Sequence, residues 1–210
     1  MDKMEEQKAI SAVKFILVRH GRTVYNDEKR YTGQKNIALS VRGKMQAKIT
    51  SEYVLKKYKP DLIYASDLSR AIETVNLVSE TLGIPIKTDK RLREKSLGDW
   101  TGMRIDEIKE KFPKEFESYR NGARAINGES RADIEKRAME FFQELAQKEQ
   151  GKTILISSHN GLLGAFLCRI SCVKEQGANL FLPNCSVSEV IYENGGFTAL
   201  MVGFDKHLGG

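Results

Sequence analysis

The chain has 210 residues, of which 40% are hydrophobic and 30% charged; this suits one α/β domain over residues 1–210, with 103–127 as a cap or insertion segment. The formal charge of +6 is spread over short groups such as Lys56-Lys57-Tyr58-Lys59, which read as solvated faces, so small phosphorylated or acidic ligands are expected and a nucleic-acid partner is not. Cys168, Cys172 and Cys185 lack CxxC spacing and no apolar signal or spanning segment appears, which argues against a disulfide scaffold, a zinc knuckle and a membrane anchor and for a cytoplasmic protein.

Met1 to Ser11 read as a loose leader. The apolar run Phe15 to Val18 is aromatic and branched, as a strand buried on both faces of a parallel sheet would be, and it stops abruptly at Arg19, His20 and Gly21. Ligand crevices in open α/β sheets lie just beyond such strand ends. A guanidinium there offers a fixed fork of donors to a phosphate, and a neutral imidazole can attack phosphorus.

A polar loop over residues 22–36 follows, and Ser40 caps a helix through Met45, Ala47, Ile49, Tyr53 and Leu55. Leu62 to Ala65 form a second strand, ending in Ser66-Asp-Leu-Ser-Arg70, with a helix from about Ser69 to Leu82 stopped by Gly83 and Pro85. This βαβα alternation predicts a three-layer sandwich, a mostly parallel sheet with helices on both faces. Arg70 can then face the same crevice as Arg19.

Leu92 to Gly102 form a glycine-punctuated loop carrying Glu94 and the single tryptophan, Trp100, which reads as a core anchor. Residues 103–127 form a small helical insertion over the sheet edge and the active site. A helix from Ser130 to about Gln147 places Ile134, Ala138, Phe141, Phe142 and Leu145 on one face. Another strand, Lys152 to Ser158, ends in His159-Asn160-Gly161 and repeats the pattern of the first. A helix from Leu162 to Ile170, a strand over Asn184 to Tyr192, a hairpin at Asn194-Gly195-Gly196 and a last strand from Phe197 to Val202 complete the chain. His207, in the tail, reads as exposed and inert.

Arg19, His20, Arg70 and His159 at strand ends, with Glu94 on a loop able to reach them, make a set complete for phosphoryl transfer. The cations meet the nonbridging oxygens, His20 attacks in line, and Glu94 protonates the leaving alkoxide and returns as base for water. The sequence resembles the histidine phosphatase superfamily, in its phosphoglycerate mutase-like branch. Arg19 to Asn26 is similar to the signature RHGxTxxN, Ser66 to Thr74 to SxLxRAxxT, Leu92 to Gly102 to LxExxxGxWxG, and Gly128-Glu-Ser130 to GES. The resemblance implies phosphorylation of His20, binding of the phosphoryl group by Arg19, Asn26, Arg70 and His159, and proton donation by Glu94. Two positions depart from the pattern: Asn160 stands where glycine is common, adding a side chain beside the substrate site, and Tyr25 stands where tryptophan is frequent.

No cysteine has an arginine six residues on, and neither GxSxG nor the Gly-rich phosphate loop GxxxxGK[ST] occurs, so cysteine-phosphatase, serine-hydrolase and nucleotide-loop chemistries lack their residues. Three histidines, one in the tail, argue against a metal cluster, and no cofactor is required. The leading expectation is a metal-independent phosphatase of small phosphomonoesters, with a homodimer as a further expectation. The alternatives are a phosphoglycerate mutase, for which Arg104, Lys109, Lys111, Lys114, Arg120 and Arg124 would hold a second anionic group, and a phosphate-binding adaptor without turnover. The shortness of the insertion favours hydrolysis.

Overall fold

The computed structural model describes residues 11–171 and 180–209, so Cys172 and nearly all of the expected leader lie outside the described residues. Six strands, β1 (Val13–Arg19), β2 (Leu62–Ala65), β3 (Ile86–Thr88), β4 (Thr153–Ser158), β5 (Val187–Glu193) and β6 (Gly196–Phe204), form one sheet in the order β3-β2-β4-β1-β5-β6. The first four pair in parallel, whereas β5 runs antiparallel to both β1 and β6. A mostly parallel α/β sheet is therefore what forms, with an antiparallel margin built from the Asn194-Gly195 hairpin.

Side chains along β1 alternate between two cores because strand residues alternate faces. Phe15 and Leu17 pack with Phe141, Phe142, Leu163 and Phe166 from α6 (Arg131–Lys148) and α7 (Asn160–Ile170). Ile16 and Val18 pack on the other face with Val54, Val75 and Val78 from α2 (Val41–Lys57) and α3 (Ser69–Leu82). Phe142 stacks on Phe166 with centroids 3.8 Å apart, and Phe15 meets Phe142 edge-on at 5.5 Å. Each such fully buried side chain contributes about 1.5–3 kcal/mol, so the middle strand is rigid where it presents its end.

The helix boundaries follow from local chemistry. Ser40 accepts from the Gly43 amide at the start of α2, and Ser130 and Asp133 cap α6 reciprocally. Gly83, at φ +66°, ends α3 in the left-handed conformation that glycine adopts freely. Two features were not foreseen in the sequence: α1 (Val24–Asp27), within the polar loop, and the short edge strand β3. Thr23 and Asn26 form the capping box of α1, whose single turn gives the apolar periodicity nothing to show.

Between β3 and α6 lie α4 (Ile105–Lys111) and α5 (Pro113–Arg120), which share a separate small core of Leu97, Trp100, Ile108, Phe116 and Ala125. Trp100 is fully buried and anchors that core rather than the two flanking the sheet. Among the described residues no helix is long and apolar enough to cross a membrane.

His207 is not the exposed residue expected of a tail. Its Nε2 lies 2.9 Å from Thr50 Oγ1, and its ring stacks on Tyr53 at 4.7 Å and on Phe204 at 5.7 Å. The 3-10 turn Lys206–Leu208 folds the tail back against α2, a contact invisible to local sequence.

Candidate active site

Arg19 pairs with Ser158 in the β1–β4 register, so the residues that follow, His20 and His159, emerge side by side. The His20 amide donates to Ser158 O at 2.9 Å, and the two imidazole centroids lie 5.0 Å apart. Neighbouring parallel strands thus convert two motifs separated by well over a hundred residues into one pair.

His20 Nδ1 lies 2.7 Å from the Gly21 carbonyl, which can only accept, so Nδ1 carries the proton and Nε2 keeps its lone pair. Gly21 itself approaches the backbone so closely that a Cβ would sit 2.7 Å from Gly43 O. Burial pushes the His20 pKa well below its ordinary value, and the Arg70 and Arg19 charges push the same way against the Gly21 carbonyl. His159 is lowered too, by burial first, then by Arg70, His20, Arg19 and Arg137. Both rings are therefore neutral at pH 7, as a nucleophilic imidazole must be.

The two guanidiniums are held by backbone carbonyls. Arg70 is fully buried and donates through Nη1 to Lys35 O at 2.8 Å and through Nη2 to Gly33 O at 2.9 Å. Arg19 donates through Nη1 to Leu182 O and lies 5.2 Å over the Phe181 ring. Burial lowers each to about 10, partly offset by Glu94, so both stay charged at neutral pH. Neither Nε has a partner among the described residues, and two desolvated cations with unspent donors suit a dianion.

Glu94 reaches the site because its loop is tied down at several points. Arg137 of α6 donates to the carbonyls of Arg91 at 2.7 Å and Arg93 at 2.8 Å, Ser158 Oγ donates to Leu92 O at 2.7 Å, and Arg93 makes two 2.6 Å bonds to Asp67. The carboxylate accepts from the Lys95 amide at 2.7 Å and the Gly161 amide at 3.3 Å. A Cβ at Gly161 would collide with that carboxylate, which accounts for glycine there.

Arg19, His20, Asn26, Arg70, Glu94 and Asn160 all line one cavity of about 470 Å³. His159, fully buried, lies behind its wall against His20. Asn26 Oδ1 accepts from the Thr23 amide and hydroxyl, at 3.0 and 3.2 Å, so its Nδ2 is the group left to donate. Asn160 Oδ1 accepts from the Leu182 amide at 2.8 Å, and so bridges α7 to the segment that holds Arg19. Asn184, which also lines the cavity, donates to His20 O at 3.0 Å; nothing in its sequence neighbourhood pointed to it.

The expected second-anion group is not assembled: Arg104, Lys109, Lys111, Lys114, Arg120 and Arg124 do not line the cavity. Arg104 pairs with Asp106 and Arg124 with Asp133. On short amphipathic helices the apolar residues turn inward onto Trp100 and the cations turn out. The cations that do line the cavity beyond Arg19 and Arg70 are Arg22, Lys29, Arg30, Lys95 and Arg131.

This geometry agrees with the matches to known proteins. Residues 15–205 match the family model described as histidine phosphatase superfamily (branch 1). The chain belongs to the histidine phosphatase superfamily. It is 35% identical over 72% of its length to a glucosyl-3-phosphoglycerate phosphatase of Mycolicibacterium vanbaalenii, covering 71% of that protein. It is 30% identical over 94% of its length to phosphoserine phosphatase 1 of Hydrogenobacter thermophilus, covering 95% of it, and 30% identical over 85% to a probable phosphoglycerate mutase of Yersinia enterocolitica, covering 84% of it. The solved structure of a mycobacterial glucosyl-3-phosphoglycerate phosphatase with VO3 superposes with a TM-score of 0.84 at 28% identity, over 91% of this chain and 99% of that one. As a histidine phosphatase the protein is a phosphoric monoester hydrolase acting on small phosphoesters.

Proposed function

We propose that the phosphatase works through a phosphohistidine on His20. The observation that carries this reading is the His20 ring itself: Nδ1 is fixed to the Gly21 carbonyl, and the remaining nitrogen belongs to a neutral imidazole on the cavity wall beside two buried guanidiniums. Nε2 attacks phosphorus in line, the P–O ester bond breaks, and its electron pair leaves with the alkoxide oxygen, to which Glu94 delivers a proton. Water then attacks the phosphohistidine, Glu94 takes its proton, and the P–N bond breaks to return neutral His20 and inorganic phosphate.

Arg19, Arg70, Asn26 and His159 hold the phosphoryl oxygens in this scheme. The two arginines need no reorganisation, because carbonyls already fix them, and preorganised charge is usually the largest contribution to stabilising a transition state that spreads negative charge. His159 has no partner at either nitrogen among the described residues, and its imidazole adjoins the ring of His20. Residues 103–127 act as the cap, since Ile105 and Tyr119 reach the cavity from it.

The deciding experiment quenches the enzyme in alkaline detergent, where a P–N bond survives, after incubation with labelled substrate, and then tests the label for release by acid. Acid-labile label on His20, and its disappearance with turnover in His20→Ala, is the expected result. Label on serine, or undiminished turnover in His20→Ala, refutes the assignment. An added acceptor alcohol separates transfer from hydrolysis: a mutase passes label to it, a phosphatase releases inorganic phosphate.

A further inference from the structure

We propose that Asn160 is a positioning residue for Arg19: through the backbone of Leu182 it fixes the direction in which the Arg19 guanidinium presents its free donors, and it does so without touching the substrate. This rests on the assignment of Arg19 to the phosphoryl group made above.

Leu182 joins the two side chains. Its amide donates to Asn160 Oδ1 at 2.8 Å, and its carbonyl accepts from Arg19 Nη1. An N–H must meet an oxygen, so that bond settles which way the Asn160 amide group is turned. Leu182 is buried and lies outside every helix and strand, and among the described residues its amide has no other partner. A buried peptide group in such a stretch needs a side chain to hold it, and Asn160 supplies one from the first residue of α7.

Arg19 depends on its carbonyl more than Arg70 does on either of its own. Arg70 is gripped at two nitrogens, by Lys35 O and Gly33 O, whereas the Arg19 side chain makes one hydrogen bond among the described residues, to Leu182 O. A guanidinium is planar, so one directed bond at Nη1, with the Phe181 ring centroid 5.2 Å from its carbon, sets where Nε and Nη2 point. The direction of the Leu182 carbonyl thereby becomes the direction of the donors left for a ligand.

Other contacts place this segment without orienting that carbonyl. The Leu182 side chain packs in the core shared by α6 and α7, and Gly164 of α7 lets Leu180 O come within 2.8 Å of where a Cβ would sit. Asn184 and Cys185 donate to the backbone carbonyls of His20 and Arg19, each at 3.0 Å. Loss of the Asn160 amide group should therefore leave the segment docked and free only the tilt of the backbone that meets Arg19.

The test is a double-substitution cycle read by calorimetry with inorganic phosphate, in which the stoichiometry counts folded sites and the affinity reports the site itself. Asn160→Ala keeps the Cβ and removes the amide group; Arg19→Met keeps the buried stem and removes the guanidinium. Asn160→Ala should weaken phosphate binding roughly threefold to tenfold, the worth of one hydrogen bond, and lower kcat/KM by a similar factor for alkyl and aryl phosphates alike. Beside Arg19→Met the same substitution should change nothing, because the group it orients is gone. Unchanged phosphate affinity in Asn160→Ala overturns the proposal, and so does a loss that persists in full beside Arg19→Met, which marks Asn160 as a direct ligand. NMR of the phosphate-free protein gives an answer that needs no second substitution: the Arg19 guanidinium protons should exchange with water faster in Asn160→Ala than in wild type, and equal rates overturn the proposal. If Arg19→Met binds phosphate as wild type does, the assignment of Arg19 to the phosphoryl group fails separately, and the exchange rates alone decide whether Asn160 holds Arg19.

Discussion

Glu94→Gln is the sharpest perturbation of the proposed chemistry, because it takes away the carboxyl group assigned there to proton transfer while keeping the shape of the side chain. The native carboxylate accepts two backbone N–H groups, from Lys95 at 2.7 Å and Gly161 at 3.3 Å. A glutamine can satisfy only one with its oxygen, and the shorter bond to Lys95 is the one it should keep. Its amide nitrogen then faces the Gly161 amide donor to donor, a mismatch that costs about 1 kcal/mol of stability and leaves the fold intact. Loss of a positioned general acid is worth about 10²- to 10⁴-fold, or about 2.7–5.4 kcal/mol of barrier, so kinetics should suffer far more than stability. The assay is kcat/KM for a series of alkyl and aryl phosphates. Alkyl esters should show the full loss, and p-nitrophenyl phosphate a smaller one, because its phenolate leaves without protonation. Equal losses across the series would refute general acid catalysis and leave Glu94 as a group that merely stabilises the charge of Arg19 and Arg70.

Three further outcomes follow from the same geometry. Because His20 and His159 are held neutral with folded pKa values below the unfolded 6.5, the unfolded chain binds more protons below that pH. Stability should thus be complete above pH about 6.5 and fall as pH drops below it, by up to about 1.4 kcal/mol per unit for each histidine; denaturant midpoints at pH 7.5 and 5.5 in phosphate-free buffer test this, and a flat profile would contradict it. Trp100→Ala should destabilise by about 3–5 kcal/mol, the usual cost of emptying an aromatic site, with Trp100→Phe costing less because it also removes a buried Nε1–H that has no partner among the described residues; equal costs in urea titrations would count against that account. EDTA should leave turnover unchanged and vanadate should inhibit competitively, since the guanidiniums supply the charge; activity lost to chelation and restored by magnesium would refute this.

The layers of the fold and the candidate residues that gather at one cavity were legible in the sequence because they depend on local information. The apolar run of β1, the Ser40 and Ser130 caps, the Gly83 stop and four ordered motifs each act over a few residues, and the expected strand Leu62–Ala65 and helix Ser69–Leu82 appear with those limits. The β3 strand and the α1 turn are too short to carry a period, so they did not show.

What the tertiary structure alone decided is who stands next to whom. Sequence placed His20 and His159 at two strand ends, but only the β1–β4 register makes those ends adjacent. It supplied six cations in the insertion as candidates for a second anion, whereas packing onto Trp100 turned them away and left Lys95 facing the cavity. Arg137, Asn184, Leu182 and His207 act through contacts with residues far off in the chain, and no local pattern encodes them. The physical reason is common to all of these: composition and periodicity determine which face of an element is buried, while the direction of a polar side chain is set by the partners that the other elements bring to it.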